Sequence, residues 1–551
     1  MGVATRRRLG VEWYGSAPHL LLLNGPAPQG LACHPHDNRP VDAARGRAIA
    51  AGVYDFYGDS LRVGPEGDPW DRPSPSRRFA VALHRMDWLG DLLSQGEPGA
   101  RQGLRLVLDW RRTFGRFNRF AWGADVLERR VYNLACATRV LLAAASEAEA
   151  TLVLSDLARQ ARHLLSLRDH PERRLERAVA AGVAGAALAG SAGDKLVNRA
   201  LARITALLPK VVLPDGGHVS RSPEAGLELL FDLSTFDVAL AQRGRAAPDL
   251  IPRAIDRLSS ATRFFTLADG RLAAFQGGEE VLPARIACAL AQDANGPTPS
   301  DQAPHVRYQK LSGQALQVIA DAGAPATGPY AATACAQPLA IEIVCGRDRL
   351  ITNSGWGPDA AAPQALRLTD AASTASLADL SAGEPLGGFV GRTFGPRLVG
   401  APAKVEVRRH DADGGVWLEM SHDAWLPRFG LIHERRLFLD RTTDELRGED
   451  RFNPPEVVEG DGPRRYVPFA VRFHLHPDTR ASVARDRKSV LLQGPSNIGW
   501  WLRNDAVEVS IEASAHVQGG RLRRTSQIVL RGQVRPEKGG RVRWKLSRAE
   551  S

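Results

Sequence analysis

The chain has 551 residues, and 72 Lys+Arg against 61 Asp+Glu give a formal net charge of +11 at neutral pH. Its 44% hydrophobic and 24% charged residues exclude wholesale disorder, and the length calls for more than one domain, each large enough to bury a core without staples. Five scattered cysteines (Cys33, Cys136, Cys288, Cys335, Cys345), with no CxxC pair among them, exclude a disulfide scaffold and a cysteine zinc ribbon.

At the N-terminus His19 is followed by four leucines, behind Arg6-Arg7-Arg8. The apolar core is too short for a signal peptide and no small-x-small site follows, so a helix turn packed on the body is expected. No apolar run reaches the roughly 18 residues of a membrane helix. Amphipathic helices are then predicted over 131–145, 152–167, 178–188, 196–208, 224–240 and 251–267, from apolar residues at three- and four-residue spacing. Pro171, Pro214, Pro223 and Pro252 fall at the joints. Residues 291–304 are rich in Pro, Gly, Asp and Ser and read as a linker. Beyond them strands are predicted at 315–319, 339–345, 350–352, 405–407, 416–420, 471–476, 507–511 and 526–530, several with strict alternation. An all-helical half (1–295) followed by an all-β half (305–551) is a two-domain architecture.

Three stretches could carry chemistry. The loop Leu213-Pro214-Asp215-Gly216-Gly217-His218-Val219-Ser220-Arg221-Ser222-Pro223 joins two helices and carries a titratable imidazole and a guanidinium fork. Its bland reading is a helix start, with Ser222 as cap and Pro223 in the first turn. Ser421-His422-Asp423-Ala424-Trp425 and His433-Glu434-Arg435-Arg436 lie on one predicted hairpin. There Trp425 would stack on a sugar and Arg435 would hold an acidic group; the bland reading is a structural histidine with surface arginines. His474-x-His476 places two imidazoles on one strand face, a metal-like spacing that lacks a third ligand, so packing is the expected role. No GxSxG, HExxH or Walker loop occurs. The arginine excess follows either from coding bias or from an anionic partner, and without an RNP, zinc-finger or basic-zipper signature an acidic polysaccharide is favoured over nucleic acid.

These segments resemble the heparinase II/III family. The loop 213–223 is similar to that family's "lPDGGh-x-x-RSP" segment. Asp321-Ala322-Gly323, Pro338-Leu339-Ala340-Ile341-Glu342, Asn353-Ser354-Gly355, the 421–435 stretch, Arg447-Gly448-Glu449-Asp450, 472–477 and 526–530 follow in the family's order. The resemblance implies an incomplete α/α toroid followed by an antiparallel β-sandwich. It also implies a polysaccharide lyase cleaving a uronic-acid-containing glycan by β-elimination, with cell-envelope localisation; cytoplasmic is the alternative. Elimination needs a base, an acid and a neutralised carboxylate. The assignments are His218 and His422 for acid–base work and Arg221, Arg435 and Trp425 for substrate. Several positions depart from the pattern: Arg173-Arg174 replaces an Asn-His pair, Ala225 a tyrosine, and 333–337 and the region of Ala372 lack the family's histidines. No cofactor is assigned. The family implies zinc, but no ligand set stands out. The alternative function is an acidic-polysaccharide-binding protein without the general base.

Overall fold

The computed structural model describes residues 12–293, 296–357, 364–455 and 466–549. They form two compact units, one of residues 1–211, 228–256 and 288–292 and one of 212–227, 257–287 and 293–551.

The first unit is built from helices, including Glu97–Phe114, Ala124–Ala143, Glu147–Ser166, Arg174–Ala187 and Ser191–Val211. Most overlap the periodic stretches read from sequence, with ends set by local chemistry. Ser146 and Glu149 form a reciprocal capping box at the start of Glu147–Ser166. Every residue from Leu175 to Ala187 is buried, because small side chains let neighbouring helices approach closely. A Cβ on Gly185 would sit 2.7 Å from the Leu196 Cβ, so the alanine- and glycine-rich run is a packing surface. The short helix Ala17–Leu23 buries His19 and Leu23, and His19 Nε2 lies 3.0 Å from His163 Nδ1. This is the expected packed turn; Arg6-Arg7-Arg8 lie outside the described residues. One hairpin, Val53–Phe56 with Asp59–Arg62, interrupts the helices, and its short strands carry too little alternation to be read from sequence.

The second unit is a β-sandwich. Its strands are β1 (Gln302–Ala303), β2 (Tyr308–Ser312), β3 (Leu316–Asp321), β4 (Ile341–Cys345), β5 (Asp348–Thr352), β6 (Ala375–Leu377), β7 (Val405–Ala412), β8 (Gly415–His422) and β9 (Ile432–Asp440). They continue as β10 (Glu445–Asn453), β11 (Val467–Leu475), β12 (Arg480–Val483), β13 (Ser489–Gln493), β14 (Gly499–Asn504), β15 (Glu508–Gln518), β16 (Arg521–Val534) and β17 (Gly540–Arg548). One antiparallel sheet has the order β15-β16-β11-β5-β4-β3-β2-β1, with β6 also on β11; the other runs β7-β8-β9-β10-β17-β14-β13-β12. Leu311, Val318, Ile343 and Phe473 from the first sheet share one core with Val416, Leu418, Leu437 and Leu446 from the second. Strict alternation in β9, from Ile432 to Asp440, buries every second residue, and Leu437 and Leu439 among them join that core. The edge strand β7 is different: Glu406, Arg408, His410 and Asp411 are exposed along it.

The units do not divide at the 291–304 linker. Residues 212–227 and 257–287, helical or irregular and on the N-terminal side of that segment, belong with the sandwich. The physical reason is polar anchoring. Arg349 pairs with Asp269 at 2.8 Å and with Glu342 at 2.9 Å. Gln276 donates to Asp321 at 2.8 Å.

Candidate functional site

The 213–223 loop is shaped by glycine and aspartate. Gly216 has φ +81°, and a Cβ there would meet the Arg257 carbonyl oxygen at 1.9 Å, so only glycine fits. Asp215 Oδ2 accepts from the His305 and Val306 amides at 2.7 and 2.8 Å. Ser222 Oγ accepts from the Ala225 amide at 3.3 Å, the helix-capping role, ahead of the helix Pro223–Gln242. His218 is buried, its Nδ1 2.6 Å from Ser220 Oγ and 3.2 Å from the Ser220 amide. Those donors leave the proton on Nε2. The Tyr330 ring meets the imidazole edge-on with centroids 5.9 Å apart. Sequence reasoning misses Tyr330 because the five-residue 3-10 helix that carries it, Gly328–Ala332, is too short for a periodic signal.

Arg221 is not a substrate fork. Its Nε donates to the Val306 carbonyl at 3.0 Å, Nη1 to Gly323 and Ala324 at 3.0 Å each, and Nη2 to Arg307 at 3.1 Å and Asp321 Oδ1 at 2.5 Å. Asp321 is fully buried. Burial works against the Arg221 charge, but the Asp321 carboxylate outweighs it and raises the guanidinium pKa. All the useful directions of the fork are occupied inside the protein, which corrects the expectation of carboxylate binding.

The β8–β9 hairpin residues form an interior chain. The Ala424 amide donates to His422 Nδ1 at 3.2 Å, and His422 Nε2 meets His433 Nδ1 at 3.1 Å. His433 Nε2 then meets Asp450 Oδ1 at 2.8 Å. Arg435 Nε donates to the same Asp450 oxygen at 2.8 Å, while its Nη1 reaches the Leu339 and Ser373 carbonyls at 2.9 Å. Trp544 Nε1 donates to Asp450 Oδ2 at 3.0 Å. Burial drives His422 well below its ordinary pKa, helped by His433 and Arg435. Burial would raise the Asp450 carboxyl, yet Arg435 and His433 hold it well below the carboxylate range. Trp425 is 1% exposed and Arg435 0%. Neither presents a face to a sugar, and His422 has both nitrogens committed, so their substrate and acid–base roles are corrected to interior packing and hydrogen bonding. The structure therefore joins His422 with Arg435 through His433 and Asp450, and sets Arg221 in a separate cluster around Asp321.

The catalytic departures read from sequence have structural counterparts. In the helical unit Arg173 pairs with Glu128 and Glu176. The positions implied for zinc do not fit a metal: 333–337 supplies no imidazole, and burial pushes the Cys335 thiol up to about 11, so no thiolate is on hand. A different set of ligand-type groups converges elsewhere in the sandwich unit, at Glu280, His476 and His516. His474 is not part of it; its Nδ1 lies 2.6 Å from Ser514 Oγ. All five cysteines are free, and among the described residues no helix is long and apolar enough to cross a membrane.

Comparison with known proteins defines the class. The profile described as "Heparinase II/III-like, C-terminal" matches residues 295–545. A structure of heparinase III shares 13% identity over 98% of this chain and 91% of its own, with a TM-score of 0.73. A mutant of heparan sulfate lyase HepC from Pedobacter heparinus shares 14% identity over 94% of this chain and 86% of its own, with a TM-score of 0.59. The chain belongs to the heparinase II/III family, and its fold is an α/α toroid followed by an antiparallel β-sandwich. It is also 60% identical, over 98% of its length and 94% of the relative's, to FtsZ-localized protein C of Caulobacter vibrioides.

Proposed function

We propose that this chain is a division-site protein that localises with FtsZ and has put a polysaccharide lyase fold to non-catalytic use. The observation that carries this reading is the 60% identity with FtsZ-localized protein C along nearly the whole of both chains. Site chemistry supports it. Arg173-Arg174, Ala225 and the histidine-free 333–337 segment stand where the family resemblance calls for Asn, His and Tyr, so the acid and base of an elimination have no complete set of carriers. Arg221, Arg435 and Trp425 serve the interior. The reading places the chain in the cytoplasm, and its net charge of +11 suits an acidic partner.

A fluorescent fusion of the full chain is the test. Its fluorescence should follow FtsZ and disperse when FtsZ is depleted. A fusion that stays diffuse, or is exported, rejects the reading.

A lyase reading keeps one point in its favour, the buried His218 with Tyr330 against it. If elimination occurs, uronic-acid polymers incubated with the protein gain ultraviolet absorbance from the 4,5-unsaturated product, and His218→Ala lowers that rate by roughly 10²–10⁴-fold. The expected result is no chromophore from either protein. A chromophore that His218→Ala abolishes restores the lyase.

A further inference from the structure

We propose that Glu280, His476 and His516 form a divalent-cation site of zinc type, closed by Arg271 when the ion is absent. Its residues are not those at which the family resemblance calls for histidines, and it is independent of the division-site reading.

The geometry comes first. Glu280 Oε2 is 3.1 Å from His476 Nε2 and 3.4 Å from His516 Nε2, and the three ligand atoms all fall within 4.8 Å of one another. A tetrahedral zinc with bonds of about 2.0–2.1 Å holds neighbouring ligand atoms roughly 3.3 Å apart. Both Glu280 contacts match that edge. Two histidines and a glutamate with a fourth position open is a recurrent zinc set.

The second observation is a mismatch of protons. His516 Nδ1 lies 3.1 Å from the Asn353 carbonyl oxygen, so that nitrogen carries the hydrogen. His516 Nε2 is then a bare lone pair, and it faces a carboxylate oxygen. Glu280 Oε2 and His516 Nε2 are both buried without a hydrogen-bond partner, while the Glu280 and His516 side chains are 0% exposed. Two acceptors aimed at each other in the interior are costly. A cation between them removes the cost. The Asn353 carbonyl behind His516 fixes that ring's orientation, as groups behind metal-bound imidazoles do. At His476 Nδ1 the Asp478 amide donates at 3.2 Å and Asp478 Oδ2 stands at 3.6 Å, so an ion at Nε2 requires the ring proton to sit on Nδ1 and face that carboxylate instead of the amide.

The third observation is that a cation already sits at the mouth. Arg271 Nη1 is 2.8 Å from Glu280 Oε1 and 2.9 Å from His476 Nε2. The Arg271 side chain is 27% exposed, whereas Glu280 and His476 are 0% and 3%. The guanidinium therefore has solvent to swing into, and His476 Nε2 is freed as a ligand when it does. Gln518 Nε2 holds Glu280 Oε1 at 3.1 Å, which leaves Oε2 for the ion.

The test uses the full-length, tag-free chain stripped with a chelator and titrated with zinc chloride, with metal content measured after gel filtration. One zinc per chain is expected, and Co²⁺ in its place should give the visible absorption of a tetrahedral site. Glu280→Gln and His516→Ala should each weaken zinc by at least the roughly 10–100-fold that loss of a supporting group behind a ligand costs. Arg271→Ala should tighten it. Glu280→Gln keeps the shape of the side chain, so a folded variant is available if His516→Ala does not fold. A second proton on His516 would also pair the two acceptors, and in that case the chain takes up no zinc. No uptake by the parent chain, or uptake unchanged in Glu280→Gln, overturns the proposal.

Discussion

Arg221→Ala should destabilise the sandwich unit by about 3–5 kcal/mol, the range seen when one partner of a buried ion pair is removed. Asp321 would be left as an uncompensated buried carboxylate, with Gln276 and the Gly323 amide as its remaining donors. The carbonyls of Val306, Arg307, Gly323 and Ala324 would lose their donor at the same time. Arg221→Lys should recover only part of the loss, because an ammonium cannot span five acceptors arranged for a planar fork. Chemical denaturation of the three proteins measures this. If Arg221→Ala unfolds at the parent's denaturant concentration, the clamp described for Arg221 is wrong.

Acid should unfold the protein well above the pH at which exposed carboxylates protonate. His84, His163 and His474 are each driven down to about 3, chiefly by burial. For His474, burial acts together with the nearby Arg472 charge. The sign follows from the unfolded reference. An unfolded histidine titrates near 6.5, so below about that pH the unfolded chain binds protons that the folded chain refuses. Stability is therefore lost as pH falls from about 6.5 toward the folded values, at about 1.4 kcal/mol per pH unit for each such histidine. Three of them together remove roughly 4 kcal/mol per pH unit, against a total stability of about 5–15 kcal/mol. Asp450 acts in the same direction. Its folded pKa is depressed, so its contribution is present above the unfolded value near 3.9 and is lost as pH falls through the folded one. Melting temperatures measured in steps from about pH 7 to about pH 4.5 should fall steeply. A level profile over that range contradicts the neutral, buried state of these histidines.

The fold is legible because periodicity is a local signal. Alternation in 471–476 and helical spacing in 152–167 are each visible within a few residues, and the strand β11 and the helix Glu147–Ser166 lie where they point. The site is much less legible, because burial and partnership are set by distant residues. Arg221 finds Asp321 100 residues away, and Arg435 finds Asp450 on the next strand. In sequence, each looks like a free fork on a loop or hairpin. The His474-x-His476 stretch reads as packing, and His474 does bond Ser514 Oγ, but the partners of His476 carry no sequence signal. His476 meets His516 and Glu280, contributed by β15 and by a segment before the sandwich strands, and no spacing rule connects those three. Trp425 reads as a sugar platform for its chemistry alone; its position under the hairpin makes it core.

The edge strand β7 bears on how this chain behaves where many copies gather. A terminal strand offers unpaired amides and carbonyls to any extended segment that comes alongside. Here that border carries Glu406, Arg408, His410 and Asp411 in the open, and the opposite border, β12, is only four residues long. Both are devices that discourage strand-on-strand growth from that sheet at high local concentration.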